Sequence, residues 1–464
     1  MELPETVSQK SRSFMQEAWM RFRKHPLARV GGAVLVVLYL GALFADFLAP
    51  YPEAKSFRDF VFAKPTNIYW RTAEGRLTRP FVCPATRTRD PETFKVVIKE
   101  DCSTTYPIRF FVHAEPYKFL GFIPANLRLM GGNWLVNDQA RLFLWGTDDF
   151  GRDLWGRIWF GARVSLTIGI FATALALIIG VTMGGIAGQF AGRPVLLSHG
   201  FLTPGFRSFL AANKRMGLLK AVGWTIIYVL LAWLLVETLS GFWQSSRNPD
   251  SWFQGLMNTV LMLALAAALN GVIYFLFFSK VHLDLDTVIM RTTEVLAAIP
   301  DLFLLITLSV IIPTGVPPSV RFILVICILS FVNWGGLARA VRSQVLQLRE
   351  MDYAQAATAL GATDNRVLLR HILPGTITYL IVVVTLSIPS FILAESGLSF
   401  LGLGIQEPAS SWGLLLSKAQ AQGITSFTDR PWLLIPGLFI LIAVLSYNLL
   451  GDGLRDAFDP RSKR

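Results

Sequence analysis

Long uncharged apolar runs alternate with short basic stretches along the chain, and the lengths of those runs set the class of protein. A hydrocarbon core about 30 Å thick is crossed by about 20 apolar residues in helical form, because backbone groups without hydrogen bonds are prohibitively costly in lipid. Eight segments are read as crossings. The first is charge-free from Val30 to Ala45, and the second, Val164 to Gly192, carries small residues at spacings that suit close helix packing. Ala221 to Val236 is only just long enough, whereas Phe253 to Ser279 is ample. The fifth, LFLLITLSVIIPTGV, has to borrow from the preceding VIMRTTEVLAAIPD to span. FILVICILSFVNWGGL, ILPGTITYLIVVVTLSIPSFILA and PWLLIPGLFILIAVLSYNLLG complete the set. The pattern predicts an all-α polytopic membrane protein.

Composition agrees: the 464 residues are 53% hydrophobic and only 16% charged. The balance is basic, 43 Lys and Arg against 31 Asp and Glu, but the basic residues flank the apolar runs. That placement orients helices in a bilayer and argues against a nucleic-acid surface. Lys10, Arg12, Arg21, Arg23, Lys24 and Arg29 precede the first run, and Arg455, Arg461, Lys463 and Arg464 follow the last. The stretch GRPVLLSHGFLTPGFRSFLAANKRMGLLK, between the second and third runs, is basic too. All three are expected on the cytoplasmic side, and with them both termini. A long polar stretch before the first run is unlike a cleavable signal peptide, so that run is expected to stay as an anchor.

The segment from Tyr51 to about Arg163 then falls outside. Runs such as ETFKVVIKEDC and YPIRFFVHAEPYKFLGFI predict a small β-rich extracytoplasmic subdomain holding Cys83 and Cys102. In an oxidising compartment these two either form a disulfide or remain free thiols. Cys327 lies in an apolar run and is expected to pack in the core. Three cysteines with no CxxC or Cys/His cluster give no zinc site, and the five histidines are dispersed.

Between the sixth and seventh runs lies a more polar stretch, DYAQAATALGATDNRVLLRHILP, Asp352 to Pro374. Arg349 to Leu360 is built of helix formers and Gly361 suits a left-handed C-terminal cap. Thr363 or Asp364 can cap a second helix running to Ile372, where Pro374 ends it. Three roles compete for this helix-turn-helix: an amphipathic connector, a DNA-reading motif, and a dock for a soluble partner. Two flanking spans clamp it and only Arg366 and Arg370 are available to phosphates, which disfavours DNA. Small alanines, Ala356 and Ala357, on one face would let a partner approach closely, and a stiff helical pair would pass its movement into the spans.

Catalytic readings find little support. No G-x4-GK-[ST] occurs, so ATP is not expected on this chain. Asp148 and Asp149 could serve as acid and base, but turn or cap roles suit adjacent loop carboxylates better. Ser396 and Ser399 lack a GxSxG context. Charges near spans are costly, so Arg291, Glu294 and Asp301 are expected near an interface or facing a cavity, and Glu395 near the outer end of the seventh span in an interhelical contact.

The order Gln355-Ala356-Ala357, Gly361, Leu373-Pro374 resembles the EAA loop of ABC importer permeases, EAA-x3-G-x9-I-x-LP, with its spacing kept. Gln355 replaces the glutamate, and His371 takes the isoleucine position. This wording is similar to the dipeptide and oligopeptide branch, as are GTDDFGRD with LWGRIWFGARVSLTIG, LDTVIMRTTEVLAAIPDLFL, ESGLSFLGLGIQEPASSWGLLL and DAFDPR. The chain thus resembles the C-type permease subunit of a peptide importer. The resemblance implies a type I core of six spans, to which this chain adds two inserted spans and an enlarged, β-containing outside loop. It divides the sequence into a cytoplasmic segment 1–29, a first span 30–49, an extracytoplasmic subdomain 50–163, a core span 164–192, an insertion 193–283 and a core 284–464 with its coupling loop at 349–374.

Carried over residue by residue, the resemblance makes Tyr353, Gln355, Ala356, Ala357, Leu360, Gly361, Thr363, Arg370, His371, Leu373 and Pro374 the ATPase-coupling loop. Gly146, Thr147, Asp148, Gly151, Arg152 and Asp153 form the signature before the second core span. It implies a transport subunit rather than an enzyme, with ATP and Mg used by a separate ATPase and no cofactor on this chain. Its implied partners are a second permease subunit, two ABC ATPase domains, an extracytoplasmic substrate-binding protein, a peptide substrate and the lipid bilayer. An ion-gradient carrier and a membrane sensor or anchor are the rival readings; no repeated halves or buried ion site favour a carrier.

Overall fold

The computed structural model describes residues 14–71, 76–89, 96–132, 134, 139–193, 195–198, 233, 236, 240, 260, 281–313 and 315–458. Two compact units divide the chain, Met1–Gly185 with Thr293–Arg464, and Ile186–Thr292. Among the described residues, five helices are long and apolar enough to cross a membrane: Pro26–Leu43, Leu154–Phe190, Pro318–Arg349, Asp364–Phe400 and Pro431–Phe458. A bent pair, Leu285–Ala298 with Asp301–Val310, makes up to a sixth. The crossings expected over Ala221 to Val236 and Phe253 to Ser279 lie almost wholly outside the described residues.

Local chemistry fixes where these helices start. His25 caps the first span, its Nδ1 accepting from the Ala28 N–H at 3.2 Å, and Pro26 occupies the first turn, where its missing N–H costs nothing. The second span begins at Leu154, well before the apolar run at Val164, because Asp153 accepts from the Gly156 N–H at 2.8 Å and starts the helix there. The fifth crossing is not the straight helix expected from the borrowed residues. Its two pieces meet at 88°, with the break at Ile299-Pro300. Proline offers no donor and pushes the residue before it out of the helical region.

The first and last spans pack closely: a Cβ on Gly31 would stand 2.6 Å from the Ser446 carbonyl oxygen. With Leu154–Phe190, Leu373–Phe400 and the short helix Trp412–Ala421, they enclose a core containing Leu38, Phe160, Leu166, Ile392, Trp412 and Tyr447. A second cluster, around Ile168, Leu305, Leu329 and Phe391, joins the second span to Asp301–Val310 and Pro318–Arg349. Cys327 is exposed on Pro318–Arg349, not in the core as its apolar surroundings suggest. Arg291, Glu294 and Asp301 are exposed on the bent pair.

The segment between the first and second spans is β-rich. Strands β1 Tyr69–Arg71, β2 Leu77–Val82 and β5 Tyr106–Pro107 form a small antiparallel sheet, β3 Ala85–Arg89 pairs with β4 Val96–Glu100, and β6 Arg109–Phe119 with β7 Ile123–Gly131. Aromatic residues Tyr51, Phe57, Trp134 and Phe143 pack with Val82, Ile108 and Leu142 in its core. Cys83 and Cys102 are joined by a disulfide, with Cα atoms 4.9 Å apart. In the second unit, Val195–Ser198 pairs with Val281–Leu283.

Candidate functional site

Two constellations stand at opposite ends of the second span. The first is the elbow after Pro318–Arg349. That helix stops at Arg349 and a new one, Asp352–Ala359, starts after the extended Met351, so the expected continuous run from Arg349 is broken. Asp352–Ala359 ends in a full Schellman cap: Gly361 N–H donates to Thr358 O at 2.9 Å and Ala362 N–H to Ala357 O at 3.1 Å. Gly361 has φ +83° with open space around it, so its backbone conformation, not its size, calls for glycine.

Thr363 stands at the N-cap position of Asp364–Val367 in extended conformation, without a side-chain capping bond. A π-helical turn, Leu368–Ile372, then feeds directly into Leu373–Phe400. Pro374 therefore does not end the second helix; it sits in the first turn of the continuing one. A proline costs little in a first turn, and the wider π turn before it absorbs the change in hydrogen bonding.

One face of the elbow is built into the protein and the other is bare. Ala354, Val367, Leu368 and Ile372 are buried with Val341 and Val345, and Ala357, Ala362 and Leu373 pack against them. Met351, Tyr353, Gln355, Ala356, Leu360, Gly361, Leu369 and Arg370 are exposed, Leu360 by 89% and Leu369 by 65%. The two alanines expected on one face are thus split: Ala356 faces out and Ala357 faces the elbow core. His371 and Leu373 are half-buried, and Pro374 is exposed.

The second constellation surrounds the GTDDFGRD turn. Gly146 (φ +75°) and Gly151 (φ +72°) shape it, and a Cβ on Gly151 would fall 2.0 Å from the Phe57 carbonyl oxygen. Buried Thr147 donates to Phe60 O and accepts from the Ala63 N–H at 2.7 Å. Asp148 is wholly engaged. One oxygen accepts from the backbone of Phe150 and Arg152 at 2.8 and 2.9 Å, the other from Arg152 Nε at 2.8 Å and from Arg157 Nη1. Arg152 also grips Glu407 through both terminal nitrogens, and Arg157 reaches Glu407 and the Ser410 hydroxyl. Lys418 joins through Asp149 at 2.9 Å.

These charges set the proton affinities of the site. Burial alone would push the Glu407 carboxyl up, but the Arg152 hydrogen bond and the charges of Arg157, Arg152 and Lys418 outweigh it and hold the group below its ordinary value. Burial pushes Asp153 up to about 7, against the backbone hydrogen bonds of Gly156 and Trp155. Behind the clamp, fully buried Glu395 accepts from Ser165 at 2.8 Å and Ser399 at 2.7 Å, tying Leu373–Phe400 to the second span.

Neither constellation offers a nucleophile beside a base, and the described residues hold no group of three or more potential metal ligands. One is a bare ledge at the end of a stiff helix pair; the other is a charge lock between the start of the second span and the segment before Trp412–Ala421. Residues 279–464 match the family described as the binding-protein-dependent transport system inner membrane component. Residues 13–65 match the N-terminal transmembrane domain of oligopeptide transport permease C, and together the two cover more than half of the chain. The chain belongs to these ABC transport permeases.

Relatives of this permease agree along its length. The oligopeptide transport system permease protein OppC of Bacillus subtilis is 26% identical over 461 residues, 99% of this chain and 94% of that protein. The dipeptide transport system permease protein DppC of the same organism is 25% identical over 462 residues, 99% and 90% of the two chains. The oligopeptide permease OppC of Haemophilus influenzae is 40% identical over 194 residues, 42% of this chain and 59% of that one. The permease is a multi-pass membrane protein and a transport subunit, not an enzyme.

The six signature residues gather in one place: Asp148 and Arg152 join the charge lock, Thr147 and the two glycines shape its turn, and Asp153 starts the span. Sequence reasoning assigned no role to Arg157, Glu407 or Lys418, although Arg157 and Glu407 stand inside blocks that carry the family resemblance. Nothing local in the sequence pairs positions 250 residues apart. Ala354 was also missed, since one alanine in an alanine-rich helix carries no mark of burial.

Proposed function

We propose that this chain is one of two membrane subunits of an ATP-driven importer for di- or oligopeptides, and that the elbow Asp352–Pro374 is where a separate ATPase seats. The observation that carries the reading is the elbow's two-faced build: a rigid capped turn locked to the spans on one side, with Tyr353, Ala356, Leu360 and Leu369 exposed on the other. Apolar surface of this kind at the end of a stiff lever suits a docked partner. ATP and Mg belong to that partner. Closure of an ATPase pair around ATP would move the elbow as a rigid body and bias the spans between inward- and outward-open states, through ATP's differential affinity for the closed pair.

The relatives' names supply the peptide cargo; a second permease subunit, two ATPase domains and an extracytoplasmic binding protein complete the proposed assembly. Both termini and the elbow lie in the cytoplasm in this reading, as the flanking basic residues favour. Gln355 leaves the elbow without the glutamate of the family wording, so docking here relies on shape more than on an ion pair at that position; Gln355 Nε2 instead donates to Glu350 O at 3.1 Å.

The deciding experiment is copurification of the chain with a P-loop ATPase, repeated with Ala356→Trp and Ala357→Trp. Ala356→Trp places bulk on the bare face and abolishes copurification while leaving the permease thermally intact. Ala357→Trp acts on the elbow core and lowers the unfolding temperature as well. A full ATPase complement on Ala356→Trp would sink the docking assignment.

A further inference from the structure

The β6–β7 hairpin does not stand away from the spans. Phe47, at the end of the first span's extension Ala45–Leu48, meets Phe111 with ring centroids 6.0 Å apart, and Phe44, one residue before that extension, stacks on Phe119 at 5.7 Å. Phe119 is nearer the hairpin tip and Phe44 nearer the middle of the span, so the tip runs back along the span toward the bilayer. Arg128 pins the hairpin in this attitude through the carbonyl oxygens of Asp46, at 3.2 Å, and Ala49, at 2.6 Å.

Independent markers give the depth. The Asp46–Arg163 ion pair, at 2.8 Å, marks a polar level near the end of the span. Trp155 meets Trp145 and Trp159 edge to face and donates to Leu48 O at 3.0 Å, so a cluster of amphipathic rings stands at the same end of the span. Between span and hairpin runs an almost wholly apolar groove of about 800 Å³, lined by Val37, Leu40 and Phe44 on one side and Tyr117, Phe119 and Leu127 on the other. At 1.5 Å per residue, Leu40 lies about 9 Å and Val37 about 14 Å deeper than Asp46.

The tip has the wrong chemistry for water. Hairpin turns in water draw on Gly, Asn, Asp and Ser. Here Leu120 (φ +52°), Gly121 (φ +86°) and Phe122 connect the paired Phe119 and Ile123, although a left-handed leucine costs about 1–2 kcal/mol. Leu120, Phe122 and Ile123 are exposed by 38, 73 and 45%. Their surface is continued by the exposed apolar span residues Val36, Val37, Leu40, Leu43 and Phe44. Exposed Lys118, opposite Pro124, has a stem long enough to carry its ammonium up to the headgroups.

We propose that the β6–β7 hairpin is a lipid-seated wedge: Leu120 to Ile123 enter the leaflet on the subdomain's side, and a lipid acyl chain fills the groove between hairpin and first span. The outside subdomain is then held at a fixed height on the bilayer as well as by its covalent link to the spans. This goes beyond the transport assignment and needs only that the first span crosses the membrane.

The test is spin labelling of the full-length chain in vesicles of phosphatidylethanolamine and phosphatidylglycerol. In a Cys327→Ser background, single labels are placed by Phe122→Cys, by Leu40→Cys as the bilayer reference and by Asp59→Cys as the aqueous reference. Oxygen concentrates in hydrocarbon and a nickel chelate stays in water. The wedge requires an oxygen-to-nickel collision ratio at 122 several-fold above that at 59 and approaching that at 40, with a second label from Ile123→Cys agreeing. A ratio at 122 matching that at 59 overturns it. Protection of 122 from both reagents would show a protein surface covering the tip and overturns it equally. A reference at 40 that reads as aqueous would instead count against the first span itself, which separates the two failures.

Discussion

At the residue scale, single backbone angles and single protons carry the argument. Gly361→Val forces a β-branched side chain into the left-handed region at a cost of about 1–2 kcal/mol and undoes the cap. Gly361→Asn tolerates that region. The reconstituted importer is expected to keep ATP hydrolysis but lose most uptake with valine, and to keep most uptake with asparagine; equal uptake by both would refute the turn's role. Asp153 gives a pH prediction. Its carboxyl is raised from 3.8 to about 7 in the folded protein, so the stability it contributes is full below about pH 4 and is lost as the pH rises toward 7. Asp153→Asn keeps the helix-starting acceptor and cannot charge. Its unfolding temperature in detergent should therefore gain on the wild type between pH 5 and 7 and hold a constant lead above pH 8.

At the element scale, the charge lock is a joint between the start of the second span and the segment around Glu407. Arg157 and Asp148 are each 1% exposed, and removing one partner of a buried pair leaves the other charge without compensation. Arg157→Ala should cost about 3–5 kcal/mol, read as a lower unfolding temperature, and should be non-additive with Asp148→Asn in a double-mutant cycle. The disulfide acts within the β-rich element. Cys83 and Cys102 are 19 residues apart, and a closed loop of that size restricts the unfolded chain by about 3 kcal/mol. A Cys83→Ser, Cys102→Ser double variant should open the subdomain to limited proteolysis while the spans, with their separate cores, stay protected.

At the scale of the whole molecule, what was legible followed from how far each signal reaches along the chain. Apolar run length and β-patterning are local, so the five long helices among the described residues and the β-rich segment between the first two of them could be read directly. Gly361 was legible because one residue type answers one backbone angle. The 88° break at Pro300 and the passage of the helix through Pro374 were misread because one proline breaks a helix or begins one according to what packs around it. The pairing of Arg157 with Glu407, like the burial of Ala354, exists only in the folded chain. What remains is which way the assembled lever points. With Cys327→Ser as background, a membrane-impermeant maleimide should label Asp59→Cys in intact cells and Thr363→Cys only after permeabilisation. Both positions are exposed, so access depends on sidedness and not on burial. Labelling of Thr363→Cys from outside would leave the bare face of the elbow beyond the reach of any cytoplasmic ATPase.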